Sequence, residues 1–186
     1  MKERILEGFR KEIQQQGLRF SMDDLARRLG VSKKTLYKYY SSKAEILDEL
    51  IDMTLENMEE KARAIKSNEE LPLIERLRGV IAIVPDHLEL TDIRILNEMK
   101  KFFPEQWAKV DSFLQSDWEE IRILVEQGIE EGIIKNMNVA LIMKVIIVSI
   151  NTTLEQSFYL ENNIAPVDAM DDIVSILIDG LKTENK

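Results

Sequence analysis

Residues 21–47, SMDDLARRLGVSKKTLYKYYSSKAEIL, contain three helix-start signals separated by two short turns. Each signal is a serine, a residue that caps the free backbone amides at the start of a helix. The three are Ser21, Ser32 and Ser42. Gly30 lies just before the second start and suits the left-handed turn that often ends a helix. Two short helices joined by a tight turn and followed by a third predict a helix-turn-helix, whose second helix enters the major groove of DNA.

The side chains of this segment fit the same arrangement. Leu25 and Leu29 share one face of the first short helix, and Leu36 of the second helix closes over them. The face of the second helix that remains is basic and hydroxyl-bearing, which suits phosphate and base-edge contacts. Its residues are Lys33, Lys34, Tyr37 and Lys38. A lysine-rich helix alone is more often a solvated surface, but the caps, the glycine and the apolar residues together favour DNA binding.

The stretch GVSKKTLYKYYSSKAEIL resembles the signature of TetR-family transcriptional regulators, and the resemblance extends over residues 5–50. The family pattern is G-V-S-x-x-x-(L/F)-Y-x-(H/Y)-F followed by S-K-x-x-L. Tyr39 takes the place often held by His, and Tyr40 takes the place usually held by Phe. The resemblance implies an N-terminal three-helix head and a larger helical body that binds a ligand and dimerises. It also implies that Thr35 and Tyr39 contact DNA phosphates.

Charge is divided unevenly along the chain. Residues 1–47 hold 11 Lys and Arg against 6 Asp and Glu, whereas residues 48–186 hold 14 against 28. DNA attraction acts over about 8–10 Å, so a basic head is compatible with a net charge of -9. We therefore predict a DNA-binding domain at 1–47 and a ligand-binding and dimerisation domain at 48–186. Lys43, in the first turn of the third helix, is predicted to contact the DNA backbone.

Helical periodicity is pervasive and strand signals are weak, so the chain is predicted to be all-α. A long helix from Ser42 to about Lys66 would connect head and body. Further helices are expected at roughly 72–84, 91–102, 104–131, 138–160 and 167–182. The last two are apolar around much of their girth, which indicates burial on more than one side. A homodimer would supply the second covering surface and would match a palindromic operator.

Enzyme chemistry has little support. The chain has no cysteine, one histidine and seven scattered glycines, which leaves few metal ligands and no phosphate-binding loop. We predict no catalytic residue, no cofactor and no metal. The N-terminus lacks the apolar core of a secretory signal, and Val139 to Ile150 is too short to span a membrane. A cytoplasmic protein without a membrane partner is therefore expected.

A mixed set of methionine, histidine and aromatic residues in the body suits an apolar ligand site between helices, although each residue alone is more often core. The set is His87, Met99, Phe103, Trp107, Phe113, Trp118, Met143 and Phe158. The prediction is a repressor released from its operator by a small apolar or cationic molecule. Two alternatives stay open: a DNA-binding regulator controlled by a protein partner, and an all-α enzyme or scaffold.

Overall fold

The computed structural model describes the backbone of residues 1–83, 92–153, 164 and 166–183. Within these ranges the chain is helical, apart from its turns and one isolated bridge between Ile134 and Lys182. The elements are α1 (Lys2–Gln16), a 3-10 turn (Gly17–Arg19), α2 (Met22–Leu29), α3 (Lys33–Tyr37), α4 (Lys43–Lys66), α5 (Leu73–Ile81), α6 (Ile93–Phe102), α7 (Pro104–Glu130), α8 (Val139–Thr153) and α9 (Pro166–Leu181). The all-α prediction is confirmed. No helix in the described ranges is long and apolar enough to cross a lipid bilayer.

The predicted caps define the first short helices. The Ser21 hydroxyl accepts a hydrogen bond from the Asp24 amide at 3.2 Å, and the Asp24 carboxylate accepts one from the Ser21 amide at 2.9 Å. This capping box starts α2. Gly30 ends it with φ 63°, a left-handed conformation that a side chain would strain. Ser32 then caps α3 by accepting from the Thr35 amide at 3.0 Å.

Helix α4 starts with a variation on the predicted box. The Ser42 hydroxyl accepts from the Glu45 amide at 3.2 Å, as expected, but the Glu45 carboxylate accepts from the Ser41 amide at 2.6 Å. The helix then runs unbroken to Lys66, across the predicted domain boundary after residue 47, which stays a prediction. The buried face of α4 includes Ile46, Leu47, Leu50, Ile51 and Thr54, whereas Met53 is exposed.

Packing divides the chain into two compact units. The head unit comprises Met1–Glu56 and Pro85–Asp111, and the body unit comprises Asn57–Val84 and Ser112–Lys186. The head unit encloses an apolar core in which Phe9 and Phe20 meet edge to face, with ring centroids 5.1 Å apart. Ile95 and Met99 of α6 belong to that core. The head unit therefore holds α6 as well as the helix-turn-helix.

The body unit has a separate core formed largely by α5, α7, α8 and α9. Helices α8 and α9 bury one face, which includes Ile142, Ile146, Val174 and Ile178. Their other face leaves large apolar side chains exposed at Leu141, Val145, Val148 and Ile176, the last with 73% of its surface accessible. An open apolar cleft of about 270 Å³ lies between the two helices. This exposed apolar face is the one that the sequence predicts to be covered by a second subunit.

Candidate nucleic-acid interface

Helix α3 presents its basic side to solvent. Leu36 is fully buried and anchors the helix on the head core. The side chains on the opposite face are exposed, and they are Lys33, Lys34, Tyr37 and Lys38. Tyr37 keeps 50% of its surface accessible, so its ring and hydroxyl can be reached from solvent. The structure thus places these four residues, which are predicted to contact DNA, on one outward surface.

The hydroxyl-bearing residues next to them lie deeper. Thr35 is half-buried, and its hydroxyl lies 2.8 Å from that of Ser32. Tyr39 is half-buried and packs against the head core. Tyr40 is fully buried, and its hydroxyl has no hydrogen-bond partner among the described residues. Burial suits the phenylalanine that is usual at this position, and the Tyr40 hydroxyl is an extra polar atom whose pKa is raised by burial and by the nearby Glu49 carboxylate.

Lys43 lies in the first turn of α4, as predicted, and its side chain is directed into the protein. Its ammonium group donates to the main-chain carbonyls of Leu18 at 2.5 Å and Phe20 at 2.6 Å. The ammonium also lies 4.0 Å from the centroid of the Phe20 ring and 5.6 Å from that of Phe103. Burial lowers the pKa of Lys43 to about 8, although the charges of Glu98 and Asp24 act in the opposite direction. In this structure the group holds the turn before α2 instead of projecting outward.

The same turn is also held by α6. The Glu98 carboxylate accepts hydrogen bonds from the Leu18 amide at 2.6 Å and from Arg19 Nε at 2.8 Å. Gly17 makes this approach possible, because a Cβ atom there would lie 2.5 Å from a Glu98 oxygen. The Leu18 amide is therefore hydrogen-bonded to Glu98 of α6, and the Leu18 carbonyl is hydrogen-bonded to Lys43. No sequence signal indicates this contact, since its partners are about 80 positions apart.

A buried ion pair joins α1 to α2. Glu12 is only 2% exposed and accepts a hydrogen bond from Arg28 Nε, while Gln15 accepts from the same guanidinium. Arg4 adds a bond of 2.5 Å to the carbonyl of Leu29 at the end of α2. A buried carboxylate persists only with such partners, because an unpaired buried charge is strongly destabilising. These contacts fix the helices that support α3.

The three lysines of the α3 surface differ in their surroundings. The Lys33 ammonium is hydrogen-bonded to the Asp23 carboxylate in the first turn of α2. Within the part of the chain that the structure describes, no ion pair joins Lys34 or Lys38 to a carboxylate. Sequence reasoning missed Asp23, since a carboxylate ten residues before a lysine lies on another helix and forms no local pattern.

The described members of the predicted ligand set lie in both units. Met99 is buried in the head core, and Phe103 and Trp107 pack against that core. Trp118 and Met143 belong instead to the packing of the body core. Phe113, in the body unit, is half-buried. The two remaining residues of the set, His87 and Phe158, lie outside the described residues.

The whole chain has relatives among known regulators. A family model for bacterial regulatory proteins of the tetR family matches residues 5–50. The uncharacterized HTH-type transcriptional regulator YvaF of Bacillus subtilis (strain 168) is 31% identical over 186 residues, which make up 100% of this chain and 98% of that protein. The chain belongs to the TetR family of transcriptional regulators.

Solved structures of TetR-type proteins share the fold at lower identity. The ketosteroid transcriptional regulator KstR2 of Mycobacterium tuberculosis superimposes with a TM-score of 0.75 at 20% identity, covering 98% of this chain and 95% of that one. The TetR family regulator PfmR from Thermus thermophilus gives 0.76 at 23% identity, covering 96% and 99%. The chain therefore shares its fold with these two solved regulators.

Proposed function

We propose that this TetR-family regulator reads duplex DNA with the exposed face of α3. The observation that carries the proposal is the position of Lys33, Lys34, Tyr37 and Lys38 on one outward surface behind the buried anchor Leu36. Lysine ammonium groups attract phosphates and also bond guanine edges, and an exposed tyrosine adds a hydroxyl and a ring. Thr35 and Tyr39 flank this surface as phosphate contacts. Lys43 is left out, since both of its carbonyl partners lie within the protein.

Duplexes selected from a random pool by the full-length protein supply the test. Tyr37→Ala is expected to weaken binding to the selected duplex about 5-fold or more, since one specific contact contributes roughly 1–3 kcal/mol. Its thermal unfolding should stay unchanged because half of the side chain already contacts water. Met53→Ala, which removes another exposed apolar side chain of the head unit, is the matched control. Equal affinities for the wild type and Tyr37→Ala would refute the assignment of α3.

The protein is further proposed to act as a homodimer on a palindromic operator. The support is the apolar face of α8 and α9, where Leu141, Val145 and Ile176 stay exposed in a single chain. An apolar face of this kind on a charged protein marks an interaction site. In a two-fold dimer two α3 helices would reach successive major grooves, about 34–36 Å apart. Sedimentation equilibrium should give twice the chain mass of 21.6 kDa, and a monomer at micromolar concentration would contradict the proposal.

A small apolar or cationic molecule bound by the body unit is proposed to release the operator, making the protein a repressor. The acidic balance of residues 48–186 and the aromatic residues Phe113 and Trp118 support this choice. An effector acts only through its difference in affinity for the two states of the protein.

The chain's two tryptophans provide the assay. Trp107→Phe leaves Trp118 as a body-unit reporter, which is titrated with 1-decanol and with tetrabutylammonium. Quenching of Trp118 fluorescence by one of these compounds, together with release of the selected duplex, supports an effector of the same chemical class as that compound. Quenching without loss of DNA contradicts release.

A further inference from the structure

An ion pair with Asp23 distinguishes Lys33 from the other two lysines of the α3 surface. Both partners are accessible, with 44% and 65% of their side chains exposed, so the pair adds little to stability. Its position matters more than its energy, because it places a carboxylate on the surface that the proposed function assigns to DNA. The neighbouring carboxylate, Asp24, instead accepts hydrogen bonds from the amide and the hydroxyl of Ser21.

A lysine ammonium has three donor hydrogens, and Asp23 accepts one of them. The other two are enough to bond the O6 and N7 acceptors of a guanine in the major groove. The pair as a whole carries no net charge, however, and so it gains little from the phosphates. Lys34 and Lys38 keep their full charge for the DNA backbone.

We propose that Asp23 is a specificity-determining residue that reserves Lys33 for a base edge and withholds it from phosphates. The proposal rests on the DNA-binding function assigned to α3. It predicts that the carboxylate lowers affinity for DNA in general while leaving affinity for the operator largely intact. The ratio of operator to non-operator binding is then higher with Asp23 than without it.

Asp23→Asn tests this, since the amide keeps the shape and removes the charge. Freed from the carboxylate, Lys33 should make one phosphate contact, which steepens the salt dependence on a shuffled duplex by about 0.9. The advantage of Asp23→Asn over the wild type in binding the shuffled duplex should therefore be about 8-fold larger at 0.1 M salt than at 1 M. Affinity for the selected duplex should rise less, so the specificity ratio should fall.

Two lysine variants separate the roles. The double variant Asp23→Asn with Lys33→Ala removes both charges of the neutral pair, so it should weaken the selected duplex about 5-fold or more and leave the shuffled duplex and its salt slope as in the wild type. Lys34→Ala, the matched control, should weaken both duplexes and reduce the slope by about 0.9. If the double variant behaves like Lys34→Ala, Lys33 is an ordinary phosphate contact and the proposal is overturned.

The same double variant is also compared with Asp23→Asn alone. Adding Lys33→Ala to Asp23→Asn should abolish the gain on the shuffled duplex and return its salt slope to the wild-type value. A gain over the wild type that persists in the double variant would mean that the carboxylate merely repels DNA, which overturns the proposal. An Asp23→Asn protein that binds the shuffled duplex no better than the wild type also overturns it. Failure of the wild type to bind any duplex at low salt would instead refute the proposed function.

Discussion

A half-buried carboxyl in the body unit allows a pH-dependent prediction. Burial, together with the charges of Glu120 and Glu59, raises the pKa of Asp117 from 3.8 to about 6, although Lys66 acts in the opposite direction. The folded state therefore holds the Asp117 proton more tightly than the unfolded chain does. As pH rises from about 4 to above 6, the carboxyl ionises in an environment that disfavours its charge, and stability falls. Asp117→Asn removes the free-energy cost of ionising this carboxyl in the folded state.

The magnitude follows from the shift. A difference of about two pKa units corresponds to at most about 3 kcal/mol, since each unit is about 1.4 kcal/mol. The side chain is only partly buried, so water screens the effect, and we expect a gain of about 1 kcal/mol at pH 7.5. The gain should shrink through pH 6 and disappear near pH 4. Glu69→Gln, in the exposed loop of the same unit, should change stability by less than about 0.5 kcal/mol at every pH.

Thermal unfolding of the two variants and the wild type between pH 4 and 7.5 provides the assay, with protomer concentration held fixed because association raises the apparent stability. An Asp117→Asn protein that is less stable than the wild type at pH 7.5 would refute the reasoning. A gain of equal size at every pH would refute it as well, since the cost would then not come from ionisation.

Two further predictions concern the head unit. Lys43→Met is expected to weaken binding to all duplexes without changing the salt slope, because the ammonium holds the carbonyls of Leu18 and Phe20; a slope reduced by about 0.9 would reveal a phosphate contact instead. Tyr40→Phe is expected to stabilise the protein by about 1 kcal/mol in thermal unfolding, because it removes a buried hydroxyl for which the described residues supply no well-formed hydrogen bond. A loss of stability would show that this hydroxyl is hydrogen-bonded.

The helix starts and the all-α fold could be read from the sequence because their causes are local. Ser21 and Ser32 each bind an amide three residues along the chain, and Gly30 adopts its left-handed conformation without any distant contact. Hydrophobic periodicity likewise depends on residues within one or two turns. The outward lysines and Tyr37 follow from the same pattern, since burial of Leu36 leaves them on the other face.

The surroundings of the charged side chains were decided only by the tertiary structure. Lys43 and Lys33 are both basic residues in the first turn of a helix, yet the first meets the carbonyls of Leu18 and Phe20 and the second meets Asp23. A long flexible side chain takes the acceptors that other elements bring within reach, and no periodic pattern records them. The aromatic and methionine residues were divided between two cores for the same reason: their chemistry is visible in the sequence, but their neighbours come from helices far apart along the chain.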